Sequence, residues 1–284
     1  LIIGAGVMGM LSALELAEAG QTIVILDKGR AGLEASWAGG GIISPLYPWR
    51  YSPPINALAT WSQNAFPDLI ARLRDSTGID PELLANGMLV TATNEREQAL
   101  AWGAGVSRAV IEITDDEAQA LEPHVVLDET PLWMPRVSSV RNPRMGQALR
   151  QMCLNHPHIQ LFEHHEAQVS GSLSTPLASS NGQQVLADRI VLTTGAWTGD
   201  LLSGLDLTCP IKPMKGQMLL FSACRLVDRV VLANGRYAIP RADGRIVFGS
   251  TLEDVGFQRM PDRNAFESLY ALSLIHISEP TRPQ

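Results

Sequence analysis

The chain has 284 residues, 45% of them hydrophobic and 18% charged, with a formal net charge of −7. That is enough for one large core or two interleaved ones, while the acidic balance and the lack of a Lys/Arg cluster argue against a nucleic-acid partner. No apolar run approaches the roughly 18 residues of a membrane-spanning helix, so no transmembrane segment is expected. Cys153, Cys209 and Cys224 are scattered without a C-x-x-C pair, and read as reduced core thiols of a cytoplasmic protein.

The chain opens inside an apolar run, Leu1-Ile2-Ile3. This suits a central parallel strand buried on both faces, and a few preceding residues are expected to be missing. Gly4-Ala5-Gly6-Val7-Met8-Gly9 follows, and then Val7, Met10, Leu11, Leu14 and Ala17 recur at helical spacing up to Gly20, a C-cap candidate. Residues 22–26 form a second apolar run closed by Asp27. In this strand–turn–helix setting Gly4 permits the turn, Gly6 admits a pyrophosphate and Gly9 lets the helix pack closely on the strand. The helix start offers free N–H groups to phosphate, and Asp27 stands where a ribose diol would be met. Three glycines alone are a weak signal; their placement predicts dinucleotide binding. Gly103-Ala104-Gly105 follows no apolar strand and is expected to be a loop.

Ala35-Ser36-Trp37-Ala38-Gly39-Gly40-Gly41-Ile42-Ile43 comes next, a glycine loop able to lie along an extended cofactor. Residues 57–75 predict a helix with Leu58, Trp61, Phe66, Leu69 and Leu73 as its apolar positions, residues 87–92 a strand, and residues 115–121 a short helix with an acidic start. A helix is expected after Asn142-Pro143, and a strand over residues 159–163. His156 and His158 flank a proline, and His164 and His165 would face opposite ways on an extended chain, so no metal site is expected. Residues 188–197 read as an apolar strand ending in Thr194-Gly195-Ala196, with Gly195 letting the backbone run close to the cofactor. Only one G-x-G-x-x-G occurs. Tyr237 opens a strand pair turning at Ala242-Asp243-Gly244.

The segment over residues 35–45 resembles the D-amino-acid oxidase family of flavoproteins. Residues 210–219 are similar to that family's segment entering the substrate-domain sheet, residues 237–257 resemble the glycine oxidases of thiamine biosynthesis within it, and the likeness extends to about residue 270. The resemblance implies an α/β fold: a Rossmann-like FAD-binding domain with a mixed or antiparallel-sheet α+β substrate domain. It assigns residues 1–80 and 140–205 to the first domain and 81–139 and 206–270 to the second. It implies non-covalent FAD, held by Gly4, Gly6, Val7, Met8, Gly9, Asp27, Lys28, Ala35, Ser36, Gly40, Gly41, Ile42, Ala167 and Gly195. Tyr237 and Leu252 would line the substrate pocket.

The activity so implied is oxidation of glycine or a small amino acid or amine to the imine, then the 2-oxo acid and ammonia. FAD takes the hydride, molecular oxygen accepts the electrons as hydrogen peroxide, and no side-chain acid/base pair is needed. The alternatives are a D-amino-acid or secondary-amine dehydrogenase passing electrons to a quinone, and a non-catalytic flavin-binding fragment. A homo-oligomer is compatible with this reading. The family's carboxylate-anchoring arginine and its C-terminal flavin loop are not found after Tyr270. Residues 273–284 resemble a translated adapter sequence, and are expected to be a foreign tail without a helical or strand period.

Overall fold

In a computed structural model the structure describes residues 1–107, 109–172, 174–222 and 226–276. Cys224 and residues 277–284 lie outside them.

Four short parallel strands form the first sheet, in the order Val191–Leu192, Ile2–Ile3, Ile23–Leu26 and Ile159–Phe162. Ile2 pairs with Ile25 on one side and Val191 on the other, and Ile23 pairs with Ile159. The central position of Ile2 and Ile3 explains why both are buried and why no polar residue interrupts that strand. The Val7–Glu18 helix joins the first two strands, burying Met10, Ala13, Leu14 and Ala17. Gly20 follows with φ +84°, a left-handed turn suited to glycine.

Helices cover one face of this sheet. The Asn142–Asn155 helix packs on both Val7–Glu18 and Pro53–Thr77, and Ile70, Leu73, Leu149 and Cys153 close the core between them. Burial pushes the Cys153 thiol up to about 12, so it is an inert filler. On the other face Ile3 and Leu26 meet Ala167, Val169 and Ala178. These belong to an antiparallel sheet of Ala167–Gly171, Pro176–Ser180 and Gln183–Val185.

The larger sheet has seven strands, ordered Met218–Phe221, Ile246–Gly249, Arg236–Pro240, Val230–Ala233, Met88–Ala92, Leu132–Met134 and Ile111–Glu112. Neighbours are antiparallel except Val230–Ala233 and Met88–Ala92, which run parallel. Strand alternation sends Met88 and Val90 into one core and Leu89 into another on the opposite face. This leaves all five residues of that strand buried. The expected α/β class with a parallel sheet and a second mixed sheet is what the structure shows.

Several local expectations are corrected. Gly103-Ala104-Gly105 is the end of the Arg96–Gly105 helix rather than a loop; Gly103 is where that helix lies against Val110, and a Cβ there would come within 2.5 Å of the Val110 carbonyl. The Pro53–Thr77 helix is longer than residues 57–75, and its Leu58 and Trp61 are exposed, so only the C-terminal half of the apolar stripe is core. His164 has φ +60° in a turn, so His164 and His165 do not alternate on an extended chain. The Arg263–His276 helix runs through residues 273–276, and Ser273 is buried with its hydroxyl donating to the Tyr270 carbonyl at 2.7 Å. That contradicts the expected loss of periodicity at residue 273. Residues 35–45 are not one loop but a short helix, Ala35–Ala38, and a strand, Ile42–Ile43, paired with Ser138–Ser139.

Candidate functional site

The first strand ends at Gly4, whose φ of +102° turns the chain toward the helix. A Cβ there would lie 2.6 Å from the Thr193 carbonyl oxygen, so no side chain fits between the turn and the chain just after the Val191–Leu192 strand. A Cβ at Gly9 would overlap the Gly4 carbonyl oxygen and lie 2.7 Å from Thr193 Oγ1, which is the close helix–strand packing expected of that position. Gly6 is different. Its φ of −72° suits any residue, and a Cβ would meet only Ser36 Oγ at 3.1 Å. The space in front of Gly6 is therefore kept open on the cavity side.

Asp27 ends the second strand, as expected. Its Oδ2 accepts the Ala5 N–H at 2.6 Å and its Oδ1 the Gly29 N–H at 2.8 Å. The Val7 N–H, at the helix start, donates to Ser36 Oγ at 2.9 Å. The glycine turn is thus stitched to the two segments that follow it.

Around these groups lies a cavity of about 190 Å³. Gly4, Gly6, Asp27, Lys28, Ala35, Ser36, Ala167 and Gly195 line it, all of them expected from sequence. It also takes Glu34, His165, Thr193, Thr194, Trp197 and Asp200, which sequence reasoning did not single out for the site. Lys28 Nζ sits 3.7 Å over the Trp197 ring, a cation–π contact at the cavity edge. A second cavity, about 530 Å³, adjoins it through Ala35 and Ser36 and includes Val7, Gly41, Ile42, Asn142 and Met145. Met8, 63% exposed, lines neither cavity, and Gly9 serves packing.

Gly40 lies between the cofactor-side segment and the mixed sheet. A Cβ there would be 2.8 Å from Ile239 Cδ1 and 3.4 Å from Tyr237 Cε2. Gly41, at φ +82°, faces the Val140 carbonyl so closely that no side chain fits. Tyr237 is half-buried on the Arg236–Pro240 strand, and its hydroxyl donates to Met218 Sδ at 3.4 Å. Leu252 is 78% exposed and joins neither cavity. Among the described residues no His/Cys/Asp/Glu group could hold a metal ion, and no helix is long and apolar enough to cross a membrane.

These residues suit a dinucleotide: a cleft beside a helix N-terminus, a glycine with open space before it, and a strand-end carboxylate. Together with the adjoining mixed sheet, they define a flavin-dependent oxidoreductase. The family model for FAD-dependent oxidoreductases matches residues 1–274, and the chain belongs to that family. It is an FAD enzyme of the D-amino-acid oxidase type. It is 44% identical over 275 residues to the glycine oxidase of Pseudomonas aeruginosa, covering 95% of this chain and 75% of that one. It is 27% identical over 277 residues to the bifunctional protein ThiO/ThiG of Trichormus variabilis, over 90% of this chain and 40% of that protein. Its fold is similar to the crystal structure of glycine oxidase from Geobacillus kaustophilus, with a TM-score of 0.87 at 25% identity, over 97% of this chain and 77% of that one.

Proposed function

We propose that the protein oxidises glycine or another small amino acid at the carbon bearing the amine, releasing an imine that hydrolyses to the 2-oxo acid and ammonia. Molecular oxygen is the electron acceptor and hydrogen peroxide the co-product. The product serves thiamine thiazole synthesis in the cytoplasm, in keeping with the free thiols of Cys153 and Cys209. In this reading residues 1–80 and 140–205 form the cofactor unit, and residues 81–139 and 206–270 the substrate unit.

The observation that carries the proposal is the position of Gly40, which has the cofactor segment on one side and Ile239 and Tyr237 on the other. Gly40 packs directly against that sheet, so a substrate bound at Tyr237 lies next to the flavin-side segment. Bound FAD supplies the hydride acceptor. The chain's own residues bind and orient. Gly6 and Val7 receive the pyrophosphate at the helix start, Asp27 the ribose, Ala167 the adenine side, and residues 40–42 the flavin. Tyr237 orients the substrate. Its hydroxyl now donates to a thioether, a weak acceptor, so turning it to a substrate carboxylate gains a stronger, charge-assisted bond.

The test is oxygen uptake and peroxide release with glycine, D-alanine and sarcosine, each repeated with a quinone acceptor under nitrogen. Glycine-dependent peroxide supports the proposal. Turnover only with quinone makes the protein a dehydrogenase, and no turnover by flavin-loaded protein on any of the three removes the assignment.

A further inference from the structure

Arg241 follows the Arg236–Pro240 strand and is 7% exposed. Its backbone is pinned in the hairpin, where its N–H donates to the Arg245 carbonyl at 2.9 Å and its carbonyl accepts the Gly244 N–H at 3.0 Å. From this fixed base the guanidinium forks: Nη1 donates to the Val140 carbonyl at 3.0 Å and Nη2 to the Gly40 carbonyl at 2.8 Å. The Val140 N–H in turn donates to the Gly41 carbonyl at 2.9 Å, so one side chain ties both edges of the glycine turn.

The chemistry of this contact is unusual for a buried charge. The nearby carboxylates are engaged elsewhere: Asp243 with Arg141 and Arg245, and Glu82 with Arg141 and Arg144. Among the described residues no acid stands within ion-pair distance of Arg241, and its guanidinium hydrogen-bonds to backbone carbonyls, with Glu82 and Asp243 acting only from further away. Burial and the neighbouring Arg141 work against the charged form, while Glu82 and Asp243 favour it. An apolar side chain would fill such a place without the cost of desolvating a guanidinium. What the arginine adds over an apolar residue is the pair of hydrogen bonds to the Gly40 and Val140 carbonyls, which an apolar side chain would leave without that donor.

We infer that Arg241 is a positioning residue: it holds residues 39–41 against the substrate sheet, and so fixes the flavin edge of the cofactor site relative to Tyr237. The inference rests on the proposed reading that residues 40–42 meet the flavin. The buried positive charge beside that turn also favours the electron-rich, reduced cofactor. Lysine keeps the charge but lacks the planar fork that reaches two carbonyls at once.

The experiment compares Arg241→Lys and Arg241→Met with wild type, with Gly6→Val, and with Arg263→Met, an exposed control. FAD dissociation constants, flavin midpoint potentials and apoprotein melting are measured on each. Both Arg241 variants should bind FAD about tenfold more weakly, a loss of roughly 1.4 kcal/mol. Arg241→Met should also lower the midpoint potential, whereas Arg241→Lys should leave it near wild type. If Arg241→Met does not fold, the affinity of Arg241→Lys decides. Wild-type affinity and potential in the Arg241 variants, with melting alone lowered, would overturn the inference while Gly6→Val still abolishes binding. Flavin retained by Gly6→Val would instead overturn the cofactor reading beneath it.

Discussion

Asp27 and Ala5 are joined across 22 residues by a 2.6 Å hydrogen bond, in which the Ala5 N–H donates to the carboxylate that ends the second strand. With the Gly29 N–H on its other oxygen, Asp27 fastens the glycine turn before any ligand arrives. A carboxylate offers about four lone-pair sites. Two are used here, and the rest are available to the ribose diol beside the cavity.

Two measurable effects of Asp27→Ala follow from this double task. FAD affinity should fall by roughly 1.5–3 kcal/mol, the scale of a lost hydrogen bond to a charged group. The apoprotein should also melt earlier, because the Ala5 and Gly29 N–H groups lose their acceptor. Flavin titration and apoprotein melting separate the two effects. A lower melting temperature with an unchanged dissociation constant would assign Asp27 to the turn alone.

Gly6 and Gly9 should respond in opposite ways. Gly9→Ala places a Cβ on the Gly4 carbonyl, and backbone must shift. Its cost should exceed the roughly 1–3 kcal/mol of ordinary overpacking, and the apoprotein itself should be destabilised. Gly6→Val has room apart from Ser36 Oγ, so the apoprotein should fold while FAD binding is lost. Equal loss of fold in both variants would mean that Gly6 too is a packing residue.

The cofactor half of the site was legible because its signals are local. Glycine spacing, the apolar strands and the strand-end acid lie within 27 residues, and each has a steric or electrostatic reason that survives folding. What escaped depends on distant partners. Arg241 bonds to carbonyls 101 and 201 residues away, and carbonyls carry no side-chain signature. The sheet over residues 167–185 was missed because Gln168, Ser170, Ser179 and Gln183 hide any apolar alternation, and only a few residues such as Val169 and Ala178 are buried. Helical period located the Pro53–Thr77 helix but could not say which part of its apolar stripe is covered, and Leu58 and Trp61 lie exposed.

Glu122 should make stability depend on pH. Its carboxylate is buried against the Asp228 and Arg229 N–H groups, and burial outweighs those bonds, pushing it up to about 7. An unfolded glutamate titrates near roughly 4.3. Between these values the folded protein holds a proton that the unfolded chain has released, so stability falls as pH rises through that window. The contribution is complete below about 4.3 and lost above about 7, and is on the order of 3–4 kcal/mol. Glu122→Gln should flatten the melting profile between pH 5 and 8. An unchanged slope would place the titrating group elsewhere.

The rim of the cofactor cavity provides the last prediction, which concerns rates. Trp197 lines the cavity and stacks on Phe257, with ring centroids 5.2 Å apart and planes 20° from parallel. Lys28 packs on the same indole, and Arg259, 5.7 Å from it, pairs with Glu34 on the cavity wall at 3.0 Å. Phe257 and Arg259 come from the chain after the Ile246–Gly249 strand, so this contact links that segment of the mixed-sheet half to the lining of the cavity. Phe257 is 44% exposed and contributes no polar group to the cavity. Removing its ring should therefore leave the entry path open while loosening the indole that borders the exit. A stacked pair is worth about 0.5–1.5 kcal/mol, which corresponds to a several-fold change in rate. Phe257→Ala should raise the FAD dissociation rate by roughly that factor, with the association rate within about twofold of wild type and apoprotein melting little changed. Arg259→Gln should have a smaller effect that fades with salt, because the exposed Arg259–Glu34 pair is screened. Stopped-flow flavin fluorescence measures both rates. A slowed association with an unchanged dissociation rate would show that Phe257 guides entry rather than retaining the bound cofactor.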